Sequence, residues 1–585
     1  MHMKDRKLKR HTMKVFKGVP AAEGYAVAPL SLLKQVDALS KIPSECRARS
    51  VDEERSRLER ALSSTLAYFE SFRRSLPQSE QELIAALEEI AKAIVSEALE
   101  EVSSSSMCAE LAVKRVYERY AELFKTSGSS LIALRADDLR SLASTLVEEL
   151  AGSGAKARSF EGTIVVAEEL GPRELFRLIE QRAKGIVTVR GGVTSHVAIV
   201  ARGCGLPYVI VPNLDLSAIN EGDIAVLDGM SGLLIMNPSG ELLDTYWKKV
   251  SAYLELKKVF SEAAKVPVST WDGTRVEVLC NVGDLEEARY ASTVGCEGVG
   301  LFRVEFTYIR DRPPSEEALV ETFTRIAEFF RGKPLVIRAP DLGADKPLPY
   351  LKLREDNPYL GVRGVRLLLE YKAELFKPFL RAFLKAYSKH GNLKLMIPMV
   401  SRCSEIYETA QLLEEAAQGL GVKAPPKIGA MVETPAAALM VDKLAETGLL
   451  EFVSYGTNDL TQYVLAVDRG NPKLAHAYDE LDPSVVRLLA SSVRTALSKG
   501  LHVEVCGEMA SKVDCVPVLL GIGIRSLSVN VTAIGMVKHL IRSLEMPELE
   551  RLLNELLQMS DPKSVREAVK MHLAERAPWA NLWIS

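Results

Sequence analysis

Residues 427–433, K-I-G-A-M-V-E, and residues 452–459, F-V-S-Y-G-T-N-D, decide the fold. Each is a short apolar run that gives way to polar residues. A run of that length reads as a strand buried on both faces. Working outward, the same pattern recurs at 275–282 (R-V-E-V-L-C-N-V), 298–303 (G-V-G-L-F-R), 334–338 (P-L-V-I-R), 393–399 (L-K-L-M-I-P-M), 502–508 (H-V-E-V-C-G-E) and 526–530 (S-L-S-V-N). Helical patterns separate most of these runs, and 358–372 reads as loop plus helix. Eight apolar strands alternating with helices predict a (β/α)8, TIM-like barrel.

In such a barrel the working residues stand at the C-terminal strand ends. Here those positions are polar: Arg303 with Glu305 beyond it, Arg338 followed by Asp341 and Lys346, Glu433, Asn458-Asp459, and Cys506. Arg363, Arg366 and Arg469 follow in nearby loops. Clustered guanidinium forks match phosphate and carboxylate oxygens. Two carboxylates, Glu433 and Asp459, suit a hard divalent cation such as Mg2+, which takes its remaining ligands from substrate and water. The expected ligand is therefore a small phosphorylated acid. A thiol at Cys506 suits protonation of an enolate carbon. Taken one at a time, the arginines also read as surface ion pairs, the two acids as caps or salt bridges, and Cys506 as a small core residue.

Upstream, 240–264 reads as a connecting helix, and short β-rich runs appear at 163–167, 185–189, 207–211, 223–227 and 232–236. Between two of them lies G-G-V-T-S-H-V-A-I-V-A-R, residues 191–202. It sets His196 beside the open N–H groups of a helix, a seat for an anion. A neutral imidazole there is a candidate to accept a phosphoryl group, although a lone histidine also reads as a helix cap. Four amphipathic helices are expected at 51–76 (capped by Asp52), 80–102 (broken by Ser103–Ser106), 109–124 and 137–150. Residues 14–35 read as short strands. The expected division is a basic disordered tail over 1–13, one α/β domain from 14–35 and 151–238, an inserted helical domain over 36–150, a linker helix over 239–265, and a barrel over 266–585. Either Met1 or Met13 serves as the start.

The chain has 585 residues, 47% hydrophobic and 26% charged, with a formal net charge of −3, which gives nucleic acid no bulk electrostatic attraction. No run is apolar for the roughly 18 residues a membrane span needs. The eight cysteines, at 46, 108, 204, 280, 296, 403, 506 and 515, include no C-x-x-C pair. Structural zinc is not expected, and the scatter suggests small core thiols in a reducing cytoplasm. No G-x-x-x-x-G-K-[ST] loop is present, which weakens ATP as a donor.

These motifs resemble enzyme I, the phosphoenolpyruvate–protein phosphotransferase family of the bacterial sugar phosphotransferase system. The resemblance runs from Met13 over most of the chain. G-G-V-T-S-H resembles its phosphohistidine signature; G-L-F-R-V-E-F, N-P-Y-L-G-V-R, M-V-E-T-P-A-A, S-Y-G-T-N-D-L-T-Q-Y and A-V-D-R-G-N resemble its barrel motifs. The resemblance implies that His196 is phosphorylated. It implies that Arg303, Arg338, Lys346, Arg363, Asn458, Asp459 and Arg469 bind phosphoenolpyruvate, that Glu433 and Asp459 hold Mg2+, and that Cys506 donates a proton. It also implies a swivelling phosphohistidine domain, a carrier protein of the HPr type docking on the helical domain, and a homodimer through the barrel. Departures are Val193 where arginine is usual, Gly171 and Leu175 in place of hydroxyl residues, R-A-P-D-L-G-A-D-K after the third strand, and a helical domain without the family's F-x-x-H-x-x-M-L-x-D pattern. Two other readings fit the motifs: a relative of phosphoenolpyruvate synthase or pyruvate phosphate dikinase without its nucleotide domain, and a regulatory phosphorelay or scaffold with an acceptor other than HPr.

Overall fold

The computed structural model describes residues 12–33, 39–48, 50–73, 81–126, 130–151, 159–193, 195–309, 312–344, 348–351, 355–471 and 473–584. Most of the basic tail, Thr194 and Lys346 lie outside them, as do the side chain of His196 and the linker at 152–158. The chain forms two compact units, one up to Glu255 and one from Leu256 to Ile584.

The first unit is built on an eight-stranded sheet. Its strands are β1 (Lys14–Lys17), β2 (Val19–Ala22), β3 (Tyr25–Leu33), β4 (Ile164–Ala167), β5 (Gly185–Thr188), β6 (Tyr208–Ile210), β7 (Ile224–Asp228) and β8 (Leu233–Met236), in the order β1-β8-β7-β3-β4-β5-β6-β2. The strands β3, β4, β5 and β6 run parallel, so each needs a crossover. The crossover from β3 to β4 carries four helices: α1 (Val51–Arg73), α2 (Gln81–Ser105), α3 (Ala109–Thr126) and α4 (Ser130–Leu150). Those from β4 and β5 carry α5 (Pro172–Glu180) and α6 (His196–Gly203). Leu58, Phe69, Ile94, Val116 and Leu146 of the long helices share one core with Val165, Phe176 and Val200. Buried Glu54 ties the bundle together: it accepts from Ala109 N–H at 2.9 Å and from Arg57, whose Nη2 also reaches Leu150 O at 3.0 Å.

One cap and two helix boundaries differ from the sequence reading. The helix α1 starts at Val51, so Asp52 lies in its first turn, where its carboxylate is stabilised by the positive end of the helix dipole, instead of capping. The helix α2 ends within the serine run, but at Ser105, three residues later than read, because Ser103 and Ser105 hydroxyls bond back to Leu99 O and Glu101 O. The fourth helix begins at Ser130, about two turns before the expected start. Four of the eight cysteines are not core thiols: Cys46 is bonded to Cys108 and Cys280 to Cys296, with Cα atoms 5.4 and 6.0 Å apart. Spacing along the chain carries no information on that approach.

The second unit is the expected barrel. Past β9 (Val268–Ser269), eight parallel strands close on themselves: β10 (Arg275–Val282), β11 (Val299–Phe302), β12 (Leu335–Arg338), β13 (Leu393–Ile397), β14 (Ile428–Val432), β15 (Leu450–Tyr455), β16 (His502–Val505) and β17 (Ser526–Asn530), which returns to β10. Their interior is filled by Leu301, Val336, Met396, Met431, Phe452 and Cys506. Several expected strands end earlier than read, β13 at Ile397 and β16 at Val505 among them. The strand β15 stops at Tyr455, and Gly456 turns the chain into a helix from Thr457 to Leu465, so Asn458 and Asp459 sit in a first helical turn. The helix α7 (Gly240–Ala264) runs from one unit into the other. Its Tyr246 hydroxyl donates to Asp228 at 3.0 Å in the first unit. Its Phe260 packs on Trp579 and Trp583 in the second.

Candidate functional site

At the C-terminal ends of the barrel strands, two buried arginines meet four buried carboxylates. Arg338, closing β12, donates from Nη2 to Glu305 Oε1 at 2.8 Å, with Asp341 3.7 Å from Nη1. Arg363 uses all five of its N–H donors. Nε and Nη2 reach Asp341 at 3.0 and 2.9 Å, Nη1 and Nη2 reach Asp459 at 3.0 and 3.1 Å, and Nη1 also reaches the Tyr463 hydroxyl at 3.1 Å. Burial by itself would lower both guanidinium pKa values. The carboxylates reverse that and push them above their ordinary range.

Glu433 follows β14. Its Oε1 accepts from Met399 N–H at 2.6 Å. Met399 holds φ at 57°, and Gly364 makes room for it: a Cβ on Gly364 would stand 2.7 Å from Met399 Cβ. The residue after Arg363 must therefore be glycine for this loop to pack. Burial, then the nearby Asp459 and Asp341, raise the Glu433 carboxyl well above the usual range.

Cys506 follows β16 and is buried in the barrel interior. Burial pushes its thiol up to about 12, so it is protonated at neutral pH, the form an acid must have. Its carbonyl accepts from Asn281 Nδ2 at 3.1 Å, and Asn281 in turn accepts from Ser528. Asn458 is locked beside it: its Oδ1 accepts from Glu508 N–H at 2.8 Å. Arg303 and Arg469 form an exposed rim, Arg469 lying 3.9 Å from Asp459. Lys346 lies outside the described residues. The barrel closure thus brings Arg338, Arg363, Glu433, Asp459 and Cys506 to one end. Glu305 and Asp341 were noted at strand ends without a role, and Asn281 and Tyr463 were not singled out. A polar residue one short of the end of β10 was a signal for Asn281; nothing in the spacing pointed to Tyr463.

The residues fit a divalent cation. Four buried carboxylates stand against two buried guanidiniums, and Glu433 is raised first by its burial and then by the neighbouring Asp459 and Asp341. Among the described residues no three His, Cys, Asp or Glu side chains form a ready-made cage. A cation held by Glu433 and Asp459 would complete its shell from substrate and water, as Mg2+ does.

In the first unit, His196 is the first residue of α6. Ser195 caps that helix by accepting from Ala198 N–H at 3.3 Å. Arg202 pins the loop through Val193 O at 3.0 Å and Ala21 O at 2.9 Å. A Cβ on Gly191, where φ is 142°, would meet the Tyr208 hydroxyl at 2.8 Å. The residue before the E-L-G-P-R-E-L segment (169–175) is tied to the start of this loop, Arg190 N–H donating to Glu168 O at 2.8 Å. Within the segment, Gly171 caps α5 without a side-chain bond, and Leu175 is buried in the core.

Three family models match the chain: PEP-utilising enzyme, N-terminal, over 17–135; mobile domain over 160–232; and PEP-binding domain over 257–546. A curated relative from Escherichia coli K12, named for the phosphoenolpyruvate-dependent phosphotransferase system, is 34% identical over 96% of this chain and 75% of its own length. The phosphoenolpyruvate-protein phosphotransferase of Bacillus subtilis 168 is 33% identical over 95% of this chain and 99% of its own. This chain belongs to the phosphoenolpyruvate–protein phosphotransferase family. The family member from Haloferax volcanii is 37% identical over 82% of this chain and 83% of its own. A solution structure of Enzyme I covers 41% of this chain with a TM-score of 0.32, so the family assignment rests on the sequence relatives.

Proposed function

We propose that this protein transfers the phosphoryl group of phosphoenolpyruvate to its own His196 and then to a histidine of an HPr-like carrier protein, releasing pyruvate. It would act in the cytoplasm as the energy-coupling enzyme of a sugar phosphotransferase system. The observation that carries this reading is the buried arginine–carboxylate cluster at the barrel's catalytic end, next to a protonated thiol. The names of the family relatives support it over a synthase or dikinase. Among the described residues no helix is long and apolar enough to cross a membrane.

In this reading, exposed Arg303 and Arg469, with Lys346, meet the substrate first. Arg338 and Arg363 then engage its phosphate and carboxylate by giving up a carboxylate partner, and Asn458 supports the phosphate. Glu433 and Asp459 hold Mg2+, which supplies charge stabilisation on the phosphoryl oxygens when bound. His196 attacks phosphorus in line, the P–O bond to the enol breaks, and Cys506 S–H protonates the enolate carbon to give pyruvate. The helical insertion is the proposed docking face for the carrier, with its own variant of the surface. A homodimer through the barrel belongs to the same reading.

The test is labelling with [32P]phosphoenolpyruvate and Mg2+. The protein should take up one acid-labile phosphoryl group, and His196→Ala should abolish it with an unchanged circular dichroism spectrum. Label persisting in that variant, or efficient label from ATP, would overturn the reading.

A further inference from the structure

The strand β16 and its exit, H-V-E-V-C, place His502, Glu504 and Cys506 at every second position. Alternate residues of a strand share a face, and here that face is the barrel interior where Cys506 packs. Opposite Glu504 in the ladder stand Ser454 of β15 on one side and Ser526 of β17 on the other. A glutamate inside an apolar barrel needs an explanation, because burying its charge is costly. Glu504 is 2% exposed. Its Oε1 lies 3.2 Å from His502 Nε2, but its Oε2 is buried with no hydrogen-bond partner among the described residues. The Cys506 thiol donates to the carbonyl of Tyr455, the residue after Ser454, at 3.8 Å, and Ser454 Oγ is also buried with no hydrogen-bond partner among the described residues. Buried polar atoms left open in this way call for a reason. His502 is half-exposed at the opposite end of the strand from the substrate cluster. The charged groups around it are Glu277, which accepts from Ser526 at 2.9 Å, and Lys394, paired with Glu451 at 3.0 Å.

We propose that His502, Glu504 and Ser454 form a proton path that reloads Cys506 from the far face of the barrel. The proposal rests on Cys506 being the proton donor to the enolate. When the S–H bond breaks and the C–H bond forms, a thiolate remains under the substrate, where water has little access: Cys506 is 4% exposed. In one concerted shift the His502 imidazolium proton passes to Glu504, Glu504 passes a proton to Ser454 as that hydroxyl turns towards the open Oε2, and the Ser454 proton passes to the thiolate. Solvent restores the imidazolium. One proton enters at His502 for each one delivered to carbon, and nothing is oxidised or reduced.

The test uses the full-length protein with Mg2+, phosphoenolpyruvate and [14C]pyruvate in D2O. Carbon exchange between the two substrates needs Cys506 but not the path, because the thiolate can return the proton it took. Deuterium entry into the pyruvate methyl group also requires the thiol to swap its proton with solvent. The ratio of deuterium entry to carbon exchange should fall about tenfold or more in Glu504→Gln, and likewise in His502→Gln, whose exposed position makes loss of folding a poor explanation. An unchanged ratio in either variant overturns the path, as does an equal fall of both rates. Wild-type carbon exchange in Cys506→Ala would instead sink the role of the thiol itself, an outcome the ratio does not mimic.

Discussion

Arg363 grips Asp459 with both arms of its guanidinium, Nη1 at 3.0 Å from Oδ1 and Nη2 at 3.1 Å from Oδ2. The same side chain holds Asp341 from its other edge. It thus fixes a proposed metal ligand from a loop 96 residues away in the chain.

Arg363→Lys replaces that fork with one point charge and leaves two buried carboxylates short of donors. Breaking buried pairs of this kind costs about 3 kcal/mol or more. The barrel should unfold at a lower temperature, and phosphoenolpyruvate-dependent labelling should drop below a tenth. Differential scanning calorimetry and the label assay check both.

Glu433 gives a pH signature. Its folded pKa is raised from an ordinary 4.5 to about 8, so the native state binds the extra proton. That contribution to stability is full below pH 4.5 and is lost as pH rises towards 8. Glu433→Gln keeps an acceptor for Met399 N–H and removes the charge. Without divalent cation it should melt higher than the native protein at pH 8 and equally at pH 4.5, while Mg2+ should stabilise only the native protein. Melting curves across this range decide the matter.

Gly507 follows the proposed acid. A Cβ there would stand 1.9 Å from Thr457 Oγ1 and 2.5 Å from Thr457 N. Its φ of −74° carries no strain, so the clash is the whole effect. Gly507→Ala should push the Cys506 and Thr457 loops apart, costing about 1–3 kcal/mol by overpacking. Turnover should fall more than substrate affinity, as read from kcat and KM for pyruvate release.

Cys506→Ala removes the acid and leaves the arginines in place. Label should still reach His196, while kcat for pyruvate formation falls about a hundredfold with KM nearly constant. A purely raised KM would count against a proton-transfer role.

The barrel was readable because a strand buried on both faces must be written as a continuous apolar run, and closure puts the polar residue that ends it at the mouth. The runs ending in Arg338 and Glu433 announced both a fold and a site. The boundary at Tyr455 was harder to read, because apolar residues before Gly456 and polar residues after it do not say whether the chain stays extended. The serines after Leu99 misled because a hydroxyl can bond back into a helix as easily as it can end one.

The sequence by itself determined which chemical groups this protein brings to the barrel ends, since strand pattern and residue type are local properties. Only the tertiary structure decided which of them meet. That Arg363 spends every donor on Asp341, Asp459 and Tyr463, that Cys46 meets Cys108, and that Glu504 keeps one oxygen open beneath Cys506 all follow from closure of the chain across tens to hundreds of residues. Charge pairing and burial act through distance in space, and distance along the chain does not encode them.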